Sequence, residues 1–197
     1  MKPIFLTILL IILNSCSIHK NEYEIMNLVM NQKNISPECD SLNLLKLSAK
    51  IENSFLDGYL KEKNEIQNGQ FGTNQIFNWA DNNKWVFTEE DIIWFKKEIE
   101  KSSSLTLNSK IIKSKYNKIT FKDNPAFKDE LQKNIEITRS IKNCNYLYQL
   151  STPVFNKNKS IAIAMKKEIL LNEFVYYIFK KYNKKWELIC YTQSNSE

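Results

Sequence analysis

A chain of 197 residues with 43% hydrophobic and 25% charged residues has ordinary globular composition, and it is long enough to bury a core without disulfides or metals. Its formal net charge is +6, but the lysines are interleaved with Glu and Asp, and Arg139 is the only arginine. That argues against a nucleic-acid surface, which needs clustered basic residues and the bidentate fork of Arg. His19 is the only histidine and lies close to the N-terminus. A His-dependent triad, a Cys–His pair and a metal site built on several imidazoles are therefore excluded from the folded body. No cofactor and no metal are implied.

Lys2 precedes an apolar run, "PIFLTILLIIL", over residues 3–13. As a helix its core of about ten residues spans about 15 Å, half of a hydrocarbon core of about 30 Å, so it reads as a signal peptide rather than a membrane span. The residues that follow, Leu13-Asn14-Ser15-Cys16, resemble the lipobox of bacterial lipoproteins. Asn14 departs from the small or aliphatic residue usual there. The resemblance implies that Cys16 becomes the first mature residue and carries the lipid. Two or more acyl chains, at about 0.8 kcal/mol per buried methylene, make a stable anchor. The alternative is an ordinary secretory signal in which Cys16 is incidental. The expected organisation is a signal peptide over 1–15, a lipidated Cys16 and tether over 16–40, and a single α+β domain over 41–197. The expected address is the bacterial envelope, at an outer membrane facing the periplasm. The membrane is the first partner, an envelope protein a second, and nucleic acid is not one.

Within the tether, "EYEIMNLVMNQK" carries Ile25, Leu28 and Val29 at helical spacing. "NISPECD" is a break. The spacing of Leu42, Leu45, Ala49, Glu52, Phe55 and Leu56 predicts a helix from a Ser41 cap, ended or bent by Gly58. A loop over 67–75 follows; its G-x-x-G lacks the Lys-Ser/Thr of a phosphate loop. In "IFNWADNNKWVF", Trp79, Trp85 and Phe87 are close in sequence. These aromatics read first as core, with Trp79 and Trp85 as ligand-facing candidates.

"TEEDIIWFKKEIEKSSS" is the clearest helix. Thr88 caps it with Asp91 three residues on, acids fill its first turn, and Ile92, Phe95 and Ile99 form its buried stripe. Short strands are expected near 105–107 and 116–121, and "NPAFKDELQKNIEITRS" starts as a helix or an ordered loop. From Cys144 the pattern turns to sheet. Ile161, Ile163 and Met165 alternate with Ala162, Ala164 and Lys166, and "EFVYYIFKKY" is apolar on both faces, as a central strand is. "KWELICYTQ" returns with Trp186, Leu188 and Cys190 on one face. The result is an α+β fold, N-terminal helices on a C-terminal antiparallel meander, with an NTF2-like cone as the alternative. Cys144 lies just before one expected strand and Cys190 within another, so the two are candidates for a disulfide across the sheet; free buried thiols are the competing reading.

Ser151, Pro153, Val154 and Phe155, then Lys185, Trp186 and Leu188, resemble the C-terminal half of small uncharacterised bacterial lipoproteins. The resemblance implies a fold and an address and supplies no catalytic motif. Three functions follow: a non-enzymatic envelope module that holds another component; an immunity or inhibitor protein against a toxin or hydrolase; and a His-independent glycan or cell-wall hydrolase using carboxylates such as Glu89, Asp91 or Asp123.

Overall fold

The computed structural model describes residues 20–32, 41–69, 77–80, 85–113, 118–123, 147–169 and 172–194. Cys16, Cys39, Cys144, Arg139 and the segment "NPAFKDELQKNIEITRS" lie outside these residues. The fold is α+β. Helix α1 covers 20–30, and β1 (Ser41–Leu45), α2 (Ser54–Gln67), β2 (Phe77–Trp79) and α3 (Glu89–Lys101) follow. Strands β3 (Lys118–Lys122), β4 (Leu147–Leu150), β5 (Val154–Phe155), β6 (Ile161–Glu168), β7 (Glu173–Tyr182) and β8 (Lys185–Ser194) complete it.

Among the described residues the strands form one mixed sheet in the order β2-β8-β7-β6-β4-β1-β3, with β5 also on β6. The expected meander is the antiparallel run of β6, β7 and β8 with β4 and β5 both on β6, and β2 adds antiparallel to β8. β1 is parallel to both its neighbours, β3 and β4. Helices cover both faces, where the sequence placed them on the meander alone. Tyr23, Ile25, Met26, Val29 and Met30 of α1 pack on Leu42, Leu44, Ala162, Ala164, Tyr177 and Phe179. On the other face α2 and α3 pack on Ile161, Ile163, Met165, Tyr176 and Ile178. The apolar alternation of β6 and β7 thus fills two cores.

Four expectations change. The helix at 20–30 belongs to the body rather than to a tether, because its apolar stripe is buried. Residues 41–45 form β1, not the start of a helix. Leu is a good helix former, but pairing on both edges of β1 outweighs propensity, and Leu42 and Leu44 reach the core with the period of a strand. Gly58 sits inside α2, which runs nine residues beyond it to Gln67. Finally, Trp186, Leu188 and Cys190 do not share a face. Ile178 pairs with Cys190 and Phe179 with Leu188, so Ile189 is an extra residue in β8. This bulge leaves Trp186 and Leu188 on the α1 face and turns Cys190 to the α2 face.

The Ser-x-Pro stretch has a comparable role. Between Leu150↔Lys166 and Val154↔Ile163 the register along β6 shifts by one residue. Ser151 covers the break: its backbone N–H donates to the Met165 carbonyl at 2.8 Å, and its hydroxyl accepts the Met165 N–H at 2.8 Å. Helix α3 starts as expected. Thr88 Oγ1 accepts from Asp91 N at 3.1 Å, and Asp91 Oδ2 accepts from Thr88 N at 3.2 Å. Asp91 Oδ1 also accepts from Asn156 Nδ2 at 3.0 Å, and Trp94 Nε1 donates to the Phe155 carbonyl at 3.1 Å. Both bonds pin α3 to the β5–β6 turn.

The β7–β8 hairpin closes through Asn183 and Lys184, with φ of 47° and 69°, the two left-handed positions of a type I′ turn. Asn tolerates this region; Lys carries a Cβ penalty there of about 1–2 kcal/mol, partly matched by the entropy glycine loses on folding. Lys184→Gly is expected to stabilise the protein by about 0.5–1 kcal/mol, raising Tm by about 2 °C. Thermal unfolding followed by circular dichroism checks this, and a lowered Tm would contradict it.

Candidate functional site

Helix α2 lays Phe55, Leu56, Tyr59 and Glu62 against the sheet, spaced as one helical stripe. Tyr59 is fully buried and is the hub of an aromatic cluster. Its ring centre lies 4.5 Å from Phe87, 5.3 Å from Trp85, 5.5 Å from Phe77 and 6.3 Å from Trp79. Edge-on and tilted pairs dominate, as the ring quadrupoles favour. The Tyr59 hydroxyl accepts the Phe87 N–H at 3.1 Å. That bond ties α2 to the segment entering α3. Burial pushes the Tyr59 phenol well above its ordinary range, so it stays protonated at neutral pH.

Trp79 and Trp85 stand at the rim of this cluster. Both are half-buried, with ring centres 5.6 Å apart at 65°. The sequence put them forward together, and the structure brings them together over Tyr59. Trp79 comes from β2, the short edge strand held by β8. Trp85 has φ of 62°, an unusual left-handed conformation for a bulky residue. Its edge contacts with Tyr59 and Trp79 hold it there.

Beneath the rim, Cys190 pairs across strands with Trp79 and is fully buried. The bulge at Ile189 is what points it here. Burial, then the neighbouring Glu62 carboxyl, pushes the thiol far above its ordinary range. The thiolate is the reactive form, so this thiol is inert while the fold is intact. Cys190 is free, and its proposed partner Cys144 lies outside the described residues. Cys190 is expected to resist N-ethylmaleimide in the native protein and to label fully in urea, as read by peptide mass mapping. Native labelling at a comparable rate would contradict its burial.

Tyr176 continues the cluster, stacked on Phe55 at 4.4 Å, with its phenol pushed up to about 12 by burial. On the opposite face a second polar group is buried among apolar side chains. Lys166 and Glu168 share the β6 face with Ala162 and Ala164. Lys166 Nζ sits 5.1 Å from the Tyr148 ring centre, and Glu168 Oε1 accepts the Leu147 N–H at 3.3 Å.

The carboxylates of the hydrolase reading are placed as follows. Glu89 is exposed in the first turn of α3. Asp91 is engaged by Thr88 and Asn156. Asp123, after β3, pairs with Lys46 at 2.6 Å. Among the described residues no group of three or more His, Cys, Asp or Glu is arranged to hold a metal ion, and no helix is long and apolar enough to cross a membrane.

Tyr59 and Glu62 were not singled out in the sequence. The stripe that begins at Phe55 reaches both, but only when the helix is carried through Gly58. Comparison with protein-family models, curated proteins and solved structures finds no match for this chain.

Proposed function

We propose that this protein is a lipid-anchored lipoprotein of the bacterial envelope that works as a non-enzymatic binding module, with the Trp79–Trp85 rim as its contact surface. The observation that carries the binding role is the rim itself. Two large rings, both half-buried, lie over the aromatic cluster around Tyr59, one of them with a left-handed backbone conformation. Rigid aromatics of this kind are the usual anchors of an interface, because they present large area at little entropic cost. Tyr59 and Cys190 beneath the rim are both fully buried, so neither presents a reactive atom to a molecule seated on the rim. Support for the anchor comes from Leu13-Asn14-Ser15-Cys16 after the short apolar run.

The anchor is tested by fractionation of Cys16→Ala. The rim is tested by Trp79→Ala and Trp85→Ala in detergent-solubilised full-length protein. Each is expected to lose a co-purifying envelope component that the wild type retains, read at a temperature well below the Tm of either variant. A component that stays bound to both variants would overturn the rim as the contact surface.

A further inference from the structure

Helix α1 begins at residue 20 and is built into the core through Ile25, Met26, Val29 and Met30. Three residues lie between Cys16 and Lys20, which makes four Cα–Cα steps. Fully extended, they span at most about 14 Å. An anchored Cys16 therefore keeps the first turn of α1 within about 14 Å of the lipidated residue. The surface next to that turn is defined. The Tyr23 hydroxyl accepts the Asn108 N–H at 2.8 Å. Asn27 clamps the same turn from both sides: its Oδ1 accepts from Lys113 N at 2.7 Å, and its Nδ2 donates to the Ile111 carbonyl at 3.2 Å. Residues 108–113 are thus fixed along the first two turns of α1.

This turn presents an unusual set of side chains. Ile112 points into the core, while Ile111, at 41% exposure, points out between exposed Lys110 and Lys113. Lys20 is exposed on α1 itself. The acids beside them, Glu22 and Glu24, are half-buried, so the most exposed charges here are those of the three lysines. An apolar side chain flanked by lysines is the composition that seats at a headgroup boundary and attracts anionic lipid.

We propose that the 108–113 turn and the first turns of α1 form the membrane-apposed face of the protein, with Lys110 and Lys113 on anionic phospholipid headgroups and Ile111 in the interface. The proposal rests on the Cys16 anchor. It also places α2, α3 and the tryptophan rim on the layer across the sheet, away from the bilayer.

The test uses the full-length lipoprotein in vesicles of phosphatidylethanolamine and phosphatidylglycerol, or of phosphatidylcholine alone. Lysines are acetylated with a water-soluble ester and read by mass spectrometry. Lys110 and Lys113 are expected to react about fivefold more slowly in the anionic vesicles, the factor equivalent to about 1 kcal/mol per lysine at such a surface. Lys61 on α2 and Lys97 on α3 should be unchanged. Lys110→Glu with Lys113→Glu, which touches no core contact, should abolish the dependence on phosphatidylglycerol of protection at Lys20. Lysines 110 and 113 as reactive as Lys61 and Lys97, on a chain whose intact mass shows acylated Cys16, would overturn this face and leave the anchor standing. A mass without acyl chains would overturn the anchor and this proposal with it.

Discussion

Cys16→Ala is expected to move the protein from the membrane fraction to the soluble fraction after an alkaline carbonate wash, with the bound share falling more than about tenfold. One acyl chain binds a bilayer only reversibly, with an association constant of about 10⁴ M⁻¹, and two or three chains make the attachment effectively permanent. Removing the thiol removes every chain that the anchor supplies. What remains is the apolar run over residues 3–13. As a helix it covers about 15 Å, too short for a hydrocarbon core of about 30 Å. Among the described residues no helix offers a second anchor. Intact mass of the wild type is the companion measurement, since a chain that starts at an acylated Cys16 identifies both cleavage and lipid. Full retention of the variant after the wash would show that something other than this lipid holds the protein.

How much of this was legible in the sequence depends on how local the cause is. The start of α3 was readable because Thr88, Asp91 and the stripe of Ile92, Phe95 and Ile99 all lie within one short segment. The central place of β7 was readable because its residues are apolar on both faces. β1 was not, because the reason it is a strand lies in partners far along the chain, Lys118–Lys122 and Leu147–Leu150. Cys190 was assigned to the wrong face for a different reason: a single extra residue, Ile189, inverts every side chain after it, and the alternation on either side gives no sign of it. The site followed the same rule. Trp79 and Trp85 were visible as a close pair of large aromatics. The residue that organises them, Tyr59, follows Gly58, the position expected to end or bend the helix, and lies on the stripe that continues past it.

That hub is where a single substitution should cost most. Tyr59→Ala is expected to destabilise the protein by about 3–5 kcal/mol, the range for deleting a fully buried aromatic. The ring touches four others, so the cavity cannot collapse without moving β2 or the 85–88 segment. Tyr59→Phe separates packing from hydrogen bonding. It keeps every ring contact and loses only the oxygen that accepts the Phe87 N–H at 3.1 Å. A buried donor is then left unpaired, at about 1–3 kcal/mol. The two variants make different predictions for the rim. In Tyr59→Phe the floor beneath Trp79 and Trp85 is intact, so tryptophan fluorescence should stay close to wild type while the urea midpoint falls. In Tyr59→Ala both tryptophans lose their support, and emission should shift to the red before global unfolding begins. A Tyr59→Ala protein with an unchanged urea midpoint would show that the aromatic cluster is not a packed core. Equal losses in the two variants would assign the stability to the hydrogen bond and leave the ring a minor part, against its complete burial.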